Sequence, residues 1–504
     1  MLELKWDGKD DALKVAGKVP LRLLDFDSSL SHGEKISGNI IVQGDNLQVM
    51  KSLLPFYRGQ VKCVYIDPPY NTGAAFEHYN DNFPHSDWLS MMYPRLELLR
   101  EFLSEDGAIF ISIDDTEQAY LKIICDEIFD RRNFVANFFW RKRTAKSDVP
   151  HGISQDCEYI ICYAKSDLFH GAVKGKERKY YLTEDFPNRE WRFHDLTTQR
   201  TATERPNSFF TIINPKNGKK YPANPNSTWR VTEETFKDYF QANRIIFPGD
   251  YPFLKISKPV LRYWKDDDMR KAGENFGMVA ASTFLPAEVG MSQDGTKEIT
   301  KIFNEKKFSF PKPSSLIQHL IGIAMYSDKN AIVLDAFAGS GTTAHAVLIL
   351  NNADGGNRKF ILIEEQAYCD TITAERVRRV GGDFNFYRLG EEISDAEGKI
   401  NPKVTFEQLA DFIWFSVAKT PRIKKEHSPL IGVYNGTAIY LLYKAILKDK
   451  SSTGGNVLTR KVLAMLPEHD GDKIIFGAAC RVDEDFLKEN KISFRQIPKD
   501  LDLN

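Results

Sequence analysis

Short apolar segments alternate with amphipathic segments of helical period in two separate blocks of the chain, about 38–165 and 308–385. The apolar run 61–66 has the length of a buried strand, and residues 88–104 then place leucine and methionine on one helical face. Strands that alternate with helices indicate a parallel sheet covered on both faces. Because the alternation stops after the first block and resumes in the second, we expect one doubly wound, mostly parallel α/β sheet assembled from both blocks.

The first block carries the tetrapeptide Asp67-Pro68-Pro69-Tyr70 directly after the apolar run. Each proline restricts its own φ and the residue before it, so the turn is stiff and holds a carboxylate, a carbonyl and a ring in fixed directions. The carboxylate and the Pro68 carbonyl can accept the two N–H hydrogens of a flat amine, and the Tyr70 ring can stack on its face. An ordinary strand end closed by a Pro-Pro turn is the alternative interpretation of these four residues alone.

The second block carries a glycine-rich turn, residues 336–343, between a strand at 331–335 and a helix at 344–350. Strand, glycine turn and helix are typical of phosphate or cofactor sites, because glycine allows close approach and the helix N-terminus offers free N–H groups. The turn matches neither the G-x-G-x-x-G fingerprint nor a P-loop. Glu364 ends the next strand, about twenty residues later, where it can accept hydrogen bonds from ribose hydroxyls, although an isolated acidic strand end is usually only solvated.

A further polar strand end lies earlier in the first block, where Asp45 and Asn46 follow the strand 39–43. Side chains at the carboxyl ends of strands bind ligands in doubly wound sheets. Asp45 can also cap the helix that begins at residue 47, which is the more common role for an aspartate before a helix.

The interval between the two blocks mixes basic and aromatic residues with turn signals, most densely over 174–264. The whole chain has a net charge of -1, so a nucleic-acid partner would have to be met by a local basic surface. Basic side chains interleaved with aromatic ones suit contacts to phosphates and bases. A solvated, turn-rich α+β domain explains the same composition equally well.

The motifs together resemble a known family. D-P-P-Y at 67–70 joined to F-A-G-S-G-T at 337–342 is similar to the amino-methyltransferases that use S-adenosylmethionine, in the motif order of their β class. Four other segments resemble the modification (Mod) subunits of type III restriction-modification systems and their stand-alone relatives: G-D-N at 44–46, W-L-S-M-M-Y-P-R-L at 88–96, I-S-I-D-D at 111–115 and F-P-K-P at 310–313. Their joint occurrence in this order is more specific than any single motif.

The resemblance implies a Rossmann-like methyltransferase fold with circularly permuted motif order. It implies a site-specific DNA methyltransferase that moves a methyl group from S-adenosylmethionine, directly and in line, to N6 of an adenine flipped out of duplex DNA. The implied catalytic residues are Asp67, Pro68, Pro69 and Tyr70. The implied cofactor-binding residues, with no metal, are Asp45, Asn46, Lys312 (near the methionine carboxylate), Asp335, Phe337, Ala338, Gly339, Ser340, Gly341, Thr342, Thr343 and Glu364 (at the ribose).

The alternation and the shifts in composition along the chain divide the 504 residues into five expected parts. They are an N-terminal arm with little structure of its own (1–37), a catalytic part (38–165), an inserted α+β target-recognition domain (166–307), a cofactor-binding part (308–385) and a small C-terminal α+β domain that is a possible dimer or partner contact (386–504). No apolar stretch approaches the ~20 residues of a membrane span, and the polar start of the chain does not resemble a signal peptide. The six scattered cysteines form no C-x-x-C pair, so we expect a reduced, cytoplasmic setting.

Three other functions stay open on the sequence alone. The same chemistry could act on cytosine N4 or on an RNA base, although the family tends to show S-P-P-Y for cytosine N4. The chain could also be a DNA-binding specificity subunit without catalysis, or a nucleotide-linked oxidoreductase on a similar sheet. The expected partners are double-stranded DNA, a second copy of the chain in a homodimer and, as a possibility, the restriction subunit of a type III system; the expected location is the cytoplasm, at the nucleoid.

Overall fold

The computed structural model describes residues 3–34, 37–73, 81–145, 150–395, 398–422, 427–444, 446–447 and 455–501. The chain forms two compact units, one made of residues 1–172 and 281–504 and the other of residues 173–280. Among the described helices, none combines the length and the apolar character that a membrane crossing requires.

The strands are numbered along the chain. They are β1 (Arg22–His32), β2 (Ile40–Gln43), β3 (Val61–Ile66), β4 (Leu103–Ile113), β5 (Phe134–Arg141), β6 (Cys157–Ala164), β7 (Val173–Lys174), β8 (Tyr181–Thr183), β9 (Phe186–Asp195), β10 (Ile212–Ile213), β11 (Lys220–Tyr221), β12 (Ile245–Ile246), β13 (Val260–Trp264), β14 (Met278–Val279), β15 (Ile332–Asp335), β16 (Lys359–Glu364), β17 (Phe384–Glu392), β18 (Leu430–Tyr434), β19 (Thr437–Leu441), β20 (Val457–Leu458), β21 (Lys473–Gly477), β22 (Ala479–Cys480) and β23 (Ile492–Gln496).

The α-helices are numbered in the same way. They are α1 (Lys9–Lys18), α2 (Asn46–Tyr57), α3 (His85–Phe102), α4 (Gln118–Phe129), α5 (Glu233–Gln241), α6 (Lys265–Ala272), α7 (Ser292–Phe303), α8 (Ser314–Ala324), α9 (Thr342–Asp354), α10 (Glu375–Arg379), α11 (Phe406–Ala418), α12 (Arg460–Leu463) and α13 (Glu484–Glu489).

A nine-stranded sheet organises the first unit, in the order β1-β17-β2-β16-β15-β3-β4-β6-β5. The six central strands, β17 to β4 in this order, are all parallel. β1 at one edge and the β6–β5 pair at the other are joined to them antiparallel. The predicted mostly parallel sheet assembled from two distant blocks is therefore confirmed, and β2 of the first block even lies between β16 and β17 of the second.

The centre of the sheet is covered on both faces. β3 is buried along nearly its whole length, and β4 is buried from Gly107 onward, which is the pattern of strands packed between helical layers. The helices α2, α3, α4, α8 and α9 contribute buried faces to these layers. A continuous apolar core therefore supports the strand ends at which polar side chains collect.

The expectation of an N-terminal arm with little structure of its own over residues 1–37 was wrong. Residues 9–18 form α1, and β1 pairs antiparallel with β17, with Phe26 opposite Tyr387. The physical reason is that β17 would otherwise end the sheet with a row of unpaired backbone groups, and β1 satisfies them. Lys9 also forms an ion pair with Glu127 of α4, at 2.8 Å.

The C-terminal part of the first unit contains a second, smaller sheet. Its strands follow the order β18-β19-β21-β23, with β18 antiparallel and the other three parallel. Residues 457–458 form β20, and residues 460–463 form the short helix α12. The expected α+β character of this region agrees with these elements.

The second unit, residues 173–280, is organised around the antiparallel sheet β12-β13-β9-β8. Apolar clusters pack on both of its faces, one around Trp191 and Trp264 and the other around Trp229 and Leu261. The unit is narrower than the expected insert of 166–307, because residues 166–172 and 281–307, including α7, belong to the first unit.

Packing of β1 can be tested with two leucines. Leu23 in β1 is 1% exposed, so Leu23→Ala is expected to lower the free energy of unfolding by about 2–5 kcal/mol through the cavity it leaves. Leu13 in α1 is 42% exposed, so the matched control Leu13→Ala is expected to change it by about 0.5 kcal/mol or less. Urea denaturation measures both variants. Equal stability of the two variants would contradict a packed β1.

Candidate active site

Two strands from the two blocks of the chain end side by side at one edge of the nine-stranded sheet. β3 and β15 are parallel neighbours, with Val64 opposite Leu334. Parallel pairing brings the carboxyl ends of both strands to the same edge, so Asp67 and Asp335 lie at one end of the sheet. A cavity of about 580 Å³ opens there within the first unit, a volume in the range of small-molecule sites.

Most of the residues singled out from the sequence line this one cavity. They are Asn46, Asp67, Pro68, Pro69, Tyr70, Lys312, Asp335, Phe337, Ala338, Gly339, Ser340, Thr342, Thr343 and Glu364. Asp45 and Gly341 are outside the set of described residues that line it. The structure therefore brings together motifs that the sequence separates by most of its length.

The Pro-Pro turn is held by a buried tryptophan. Trp88 is fully buried in α3, and its Nε1 donates a hydrogen bond of 2.8 Å to the Pro69 carbonyl. The Tyr70 hydroxyl donates to Glu158 Oε2 at 3.0 Å. These two contacts hold the backbone of the turn and the ring that follows it.

Asp67 forms an ion pair with Lys312. The Lys312 ammonium lies 2.7 Å from both carboxylate oxygens, and it is also 4.9 Å from the centroid of the Tyr70 ring. Burial raises the pKa of Asp67, and the neighbouring ammonium opposes that rise. Burial alone would lower the pKa of Lys312, but the carboxylates of Asp67 and Glu158 raise it. The lysine expected beside the cofactor carboxylate is thus tied to the tetrapeptide.

The glycine-rich turn is shaped by Asp335 at the end of β15. Its Oδ1 accepts a hydrogen bond from the Phe337 backbone N–H at 3.0 Å, and its Oδ2 accepts one from the Thr343 hydroxyl at 2.5 Å. Gly341, the residue before α9, has a φ of +78°, and a Cβ there would lie 3.0 Å from the Thr373 carbonyl oxygen. A side chain at residue 341 would therefore strain the turn and crowd the Thr373 carbonyl.

Glu364 at the end of β16 binds the same turn. Its Oε2 accepts a hydrogen bond from the Gly339 backbone N–H at 2.7 Å, and its Oε1 accepts one from the Gln366 N–H at 3.0 Å. Burial raises the pKa of Glu364 to about 7. The carboxylate is therefore positioned by backbone groups and stands at the cavity wall.

A buried arginine behind the turn was missed by the sequence analysis. Arg376 of α10 is 0% exposed, and its Nη1 donates to Ser340 Oγ at 2.9 Å and to Thr342 Oγ1 at 2.7 Å. Its Nη2 lies 3.2 Å from Glu298 Oε2. The arginine lies in a basic helix end, R-V-R-R, whose sequence suggests only a solvated surface, so no local signal indicated this role.

Asp45 and Asn46 have mainly structural contacts. Asp45 caps α2 by accepting a hydrogen bond from the Gln48 N–H at 2.9 Å, and it pairs with Arg95 at 3.1 Å. Asn46 donates to the Ala336 carbonyl at 2.9 Å and accepts from Arg95 Nε at 2.6 Å. Asn46 thus ties the first block to the glycine-rich turn, and Asp45 stands one step behind it.

Glu158 was also absent from the residues expected to act. It lies in β6, is 7% exposed, and lines the cavity beside Asp67. The signal available in the sequence was a carboxylate at the start of a buried strand, in the tripeptide E-Y-I, but nothing in the sequence places that strand beside β4. Only the antiparallel pairing of β6 with β4 brings it to the site.

A doubly wound α/β sheet with a stiff acidic turn, a glycine-rich turn and an acidic strand end around one cavity defines a protein that binds its ligand at the carboxyl ends of parallel strands. A sequence model of the DNA methylase family matches residues 61–375, and the chain belongs to that family. The predicted resemblance is confirmed by this match.

Similarity to three individual proteins supports this family membership. The chain is 33% identical to the Mod subunit of the type III restriction-modification enzyme StyLTI of Salmonella typhimurium, over 74% of this chain and 60% of that subunit. It is 31% identical to the EcoPI Mod subunit of Escherichia phage P1, over 72% and 63% of the two chains. It is 31% identical to the type II methyltransferase M.KpnI of Klebsiella pneumoniae, over 67% and 82%. The chain thus spans less than two thirds of the two type III subunits.

The buried carboxyl group of Asp335 predicts a dependence of stability on pH. Burial raises its pKa to about 7 from the ordinary 3.8. The unfolded chain therefore loses this proton first as the pH rises, and the folded state loses stability between about pH 4 and pH 7. Asp335→Asn cannot ionise, so we expect it to flatten this part of the profile, by up to about 4 kcal/mol.

Urea denaturation between pH 4 and pH 8 measures the effect. The matched control is Asp10→Asn, because Asp10 is an exposed aspartate of α1, and it should follow the parent profile. A parallel loss of stability in the parent and in Asp335→Asn over this range would contradict the assignment.

Proposed function

We propose that the protein is a site-specific DNA methyltransferase that transfers a methyl group from S-adenosylmethionine to N6 of adenine in duplex DNA. The observation that carries this proposal is the meeting of Asp67-Pro68-Pro69-Tyr70 and the glycine-rich turn at a single cavity. Membership of the DNA methylase family supports it. The similarity to the type II methyltransferase M.KpnI, which extends over 82% of the length of that enzyme, also supports it.

The cavity suits S-adenosylmethionine in size and in charge. Seven carboxylate side chains and four basic ones line it, which favours a ligand with a sulfonium and an ammonium group against a single carboxylate. Gly339 has a φ of +52°, a backbone conformation that favours glycine, and it faces the Phe308 ring at the cavity wall. S-adenosylmethionine supplies, when bound, an electrophilic methyl group on sulfur.

We assign the cofactor to the wall formed by the second block. Glu364 is placed to accept hydrogen bonds from the ribose hydroxyls, because the backbone N–H groups of Gly339 and Gln366 already orient it. Residues 337–343 wrap the remaining part of the ligand, and Asp335 and Arg376 hold that turn in shape. Asn46 stands beside the turn for the adenine edge, with Asp45 behind it.

We assign the target amine to the tetrapeptide. The N6 lone pair of adenine is delocalised into the ring, which makes the amine a poor nucleophile. Asp67 and the Pro68 carbonyl would accept hydrogen bonds from its two N–H groups and so favour a pyramidal nitrogen. The Tyr70 ring would stack on the base. Rate enhancement then comes from positioning and electrostatics without a covalent intermediate. A base inside a duplex cannot reach this cavity, so the adenine must flip out.

Removing the acceptor tests the mechanism. Asp67→Ala is expected to lower the rate of methyl transfer by about 10³-fold or more, on the order of 4 kcal/mol, because a charged acceptor at the reacting nitrogen is lost. Binding of S-adenosylmethionine is expected to persist, since Glu364 and the glycine-rich turn are untouched. A tritium-methyl transfer assay and titration calorimetry measure the two quantities, with Asp10→Ala as the surface control. Near-normal turnover by Asp67→Ala would refute the mechanism.

The target base is identified in the same assay. After reaction, the DNA is digested to nucleosides and the methylated nucleoside is identified by mass spectrometry. We expect N6-methyladenine, because the tetrapeptide begins with aspartate. N4-methylcytosine would keep the chemistry and change the target base, and methylation of RNA alone would reject DNA as the substrate.

We propose that the second unit reads the DNA sequence. Residues 173–280 contain 20 lysines and arginines against 14 aspartates and glutamates, whereas the whole chain has a net charge of -1. Local positive charge supplies phosphate contacts, and side chains on such a unit supply base contacts. Exchange of residues 173–280 for the matching unit of a relative is expected to change the methylated sequence and to keep adenine as the base. Unchanged specificity after the exchange would overturn this assignment.

We also propose a homodimer in which one subunit reads the site while the other methylates, because one small unit covers only a few base pairs. The C-terminal sheet is the proposed contact, and a type III restriction subunit is the second proposed partner. The setting would be the cytoplasm, where the DNA is. Light scattering of the purified chain tests the dimer, and a monomeric mass would exclude it.

A further inference from the structure

A second buried carboxylate stands beside Asp67, outside the tetrapeptide and the glycine-rich turn. Glu158 accepts a hydrogen bond from the Tyr70 hydroxyl at 3.0 Å through Oε2. Lys142 Nζ lies 3.2 Å from its Oε1, and Lys312 Nζ lies 3.8 Å from its Oε2. The Glu158 carboxylate is thus contacted by the stacking residue and by two ammonium groups.

These contacts link Glu158 to the reacting carboxylate. Lys312 bonds both oxygens of Asp67 and also faces Glu158. The result is a chain of alternating charges: Asp67, Lys312, Glu158, Lys142. A carboxylate buried to 7% exposure is unfavourable unless charges and hydrogen bonds compensate it, and here every compensating group belongs to the cavity or its wall.

If Glu158 had a purely structural role, it would not need to contact both Tyr70 and Lys312. Glu158 would then serve only to neutralise Lys142 at the edge of β6. The Tyr70 hydroxyl argues against this, because it shares the oxygen that faces Lys312. Glu158 Oε2 therefore accepts the hydrogen bond from the Tyr70 hydroxyl and also lies 3.8 Å from the Lys312 ammonium, which pairs with Asp67.

We propose, resting on the proposed methyltransferase function, that Glu158 is a positioning residue of the reaction, which fixes the Tyr70 ring through its hydroxyl and holds Lys312 in place against Asp67. It would act through these two neighbours and would not touch the methyl group. The orientation of the Tyr70 ring would then be set before the base binds. The charge of Asp67 would be balanced by Lys312, which Glu158 also contacts.

The charges around Asp67 make this proposal measurable. Asp67 must be ionised to accept the amine hydrogens, so its titration sets the acidic limb of the dependence of kcat on pH. Several titratable groups face it from the surrounding elements: Lys312 before α8, Glu158 on β6, Tyr65 on β3, Asp335 on β15 and Tyr70 in the turn itself. Of these, Glu158 raises the pKa of Asp67 and Lys312 lowers it.

Two substitutions should therefore move the acidic limb in opposite directions. Glu158→Gln removes a negative charge but keeps an amide oxygen that can accept from the Tyr70 hydroxyl and from Lys312, so the limb should move to lower pH. Lys312→Met removes the cation, so the limb should move to higher pH, each by roughly one pH unit. The control Glu105→Gln, at an exposed glutamate of β4, should leave the limb in place.

The hydroxyl contact is tested by a double-mutant cycle. Glu158→Ala and Tyr70→Phe are each expected to lower kcat roughly 10- to 100-fold through misplacement of the ring. The double variant should lose little more than Glu158→Ala alone, because Tyr70→Phe removes a contact that Glu158→Ala has already removed. Fluorescence of 2-aminopurine at the target position reports the seating of the flipped base, and calorimetry with S-adenosylmethionine confirms that each variant still folds and binds the cofactor.

The outcomes separate the two proposals. A parent enzyme that transfers no methyl group to any DNA refutes the proposed function, and this inference with it. A parent enzyme that methylates, with Glu158 variants that keep its kcat and pH profile, overturns this inference alone. Additive losses in the cycle, or losses that accompany weakened cofactor binding and lower thermal stability, also overturn it. Opposite pH shifts with a non-additive cycle support it.

Discussion

Backbone hydrogen bonds between β3 and β15 hold together the two halves of the candidate site. They place Cys63 beside Val333 and Val64 beside Leu334. Residues of the first block of the chain are thus paired with residues of the second block. Side chains cannot achieve this alone, because a carboxylate and a glycine-rich turn must be aligned to within a fraction of an ångström to act on one ligand. A parallel ladder supplies that alignment, since its register is fixed by buried residues on both faces.

Around this ladder the site concentrates charge that is expensive to bury. Burial raises the pKa of Asp335 and that of Glu364 to about 7. Asp67 instead forms an ion pair with Lys312. Acidic groups of these two kinds divide the cavity, with hydrogen-bonded carboxyls on the side of the glycine-rich turn and an ion pair on the side of the Pro-Pro turn. The division matches the two tasks of the proposed reaction, which are holding a cationic donor and orienting a neutral amine.

The sequence indicated the strand ends because each couples an apolar run to a residue that stops it, as Ile66 does before Asp67 and Leu334 before Asp335. It did not indicate β1, whose partner β17 lies more than 350 residues later and whose alternation is interrupted by polar residues. Glu158 and Arg376 were missed for a related reason. Their roles depend on which strand or helix lies beside the site, and that information is carried by long-range pairing and not by local spacing.

The position of β2 has a consequence for synthesis of the protein on the ribosome. β2 is complete after residue 43, but both of its neighbours, β16 and β17, lie beyond residue 358. The emerging chain must therefore keep this segment, in which three of the four residues are apolar, without either of its strand partners through most of translation. Contacts of such long separation form slowly and leave hydrophobic segments exposed to association. We expect the nascent chain to depend on chaperones until its second block has emerged, so the rate of translation through residues 166–358 becomes part of its folding.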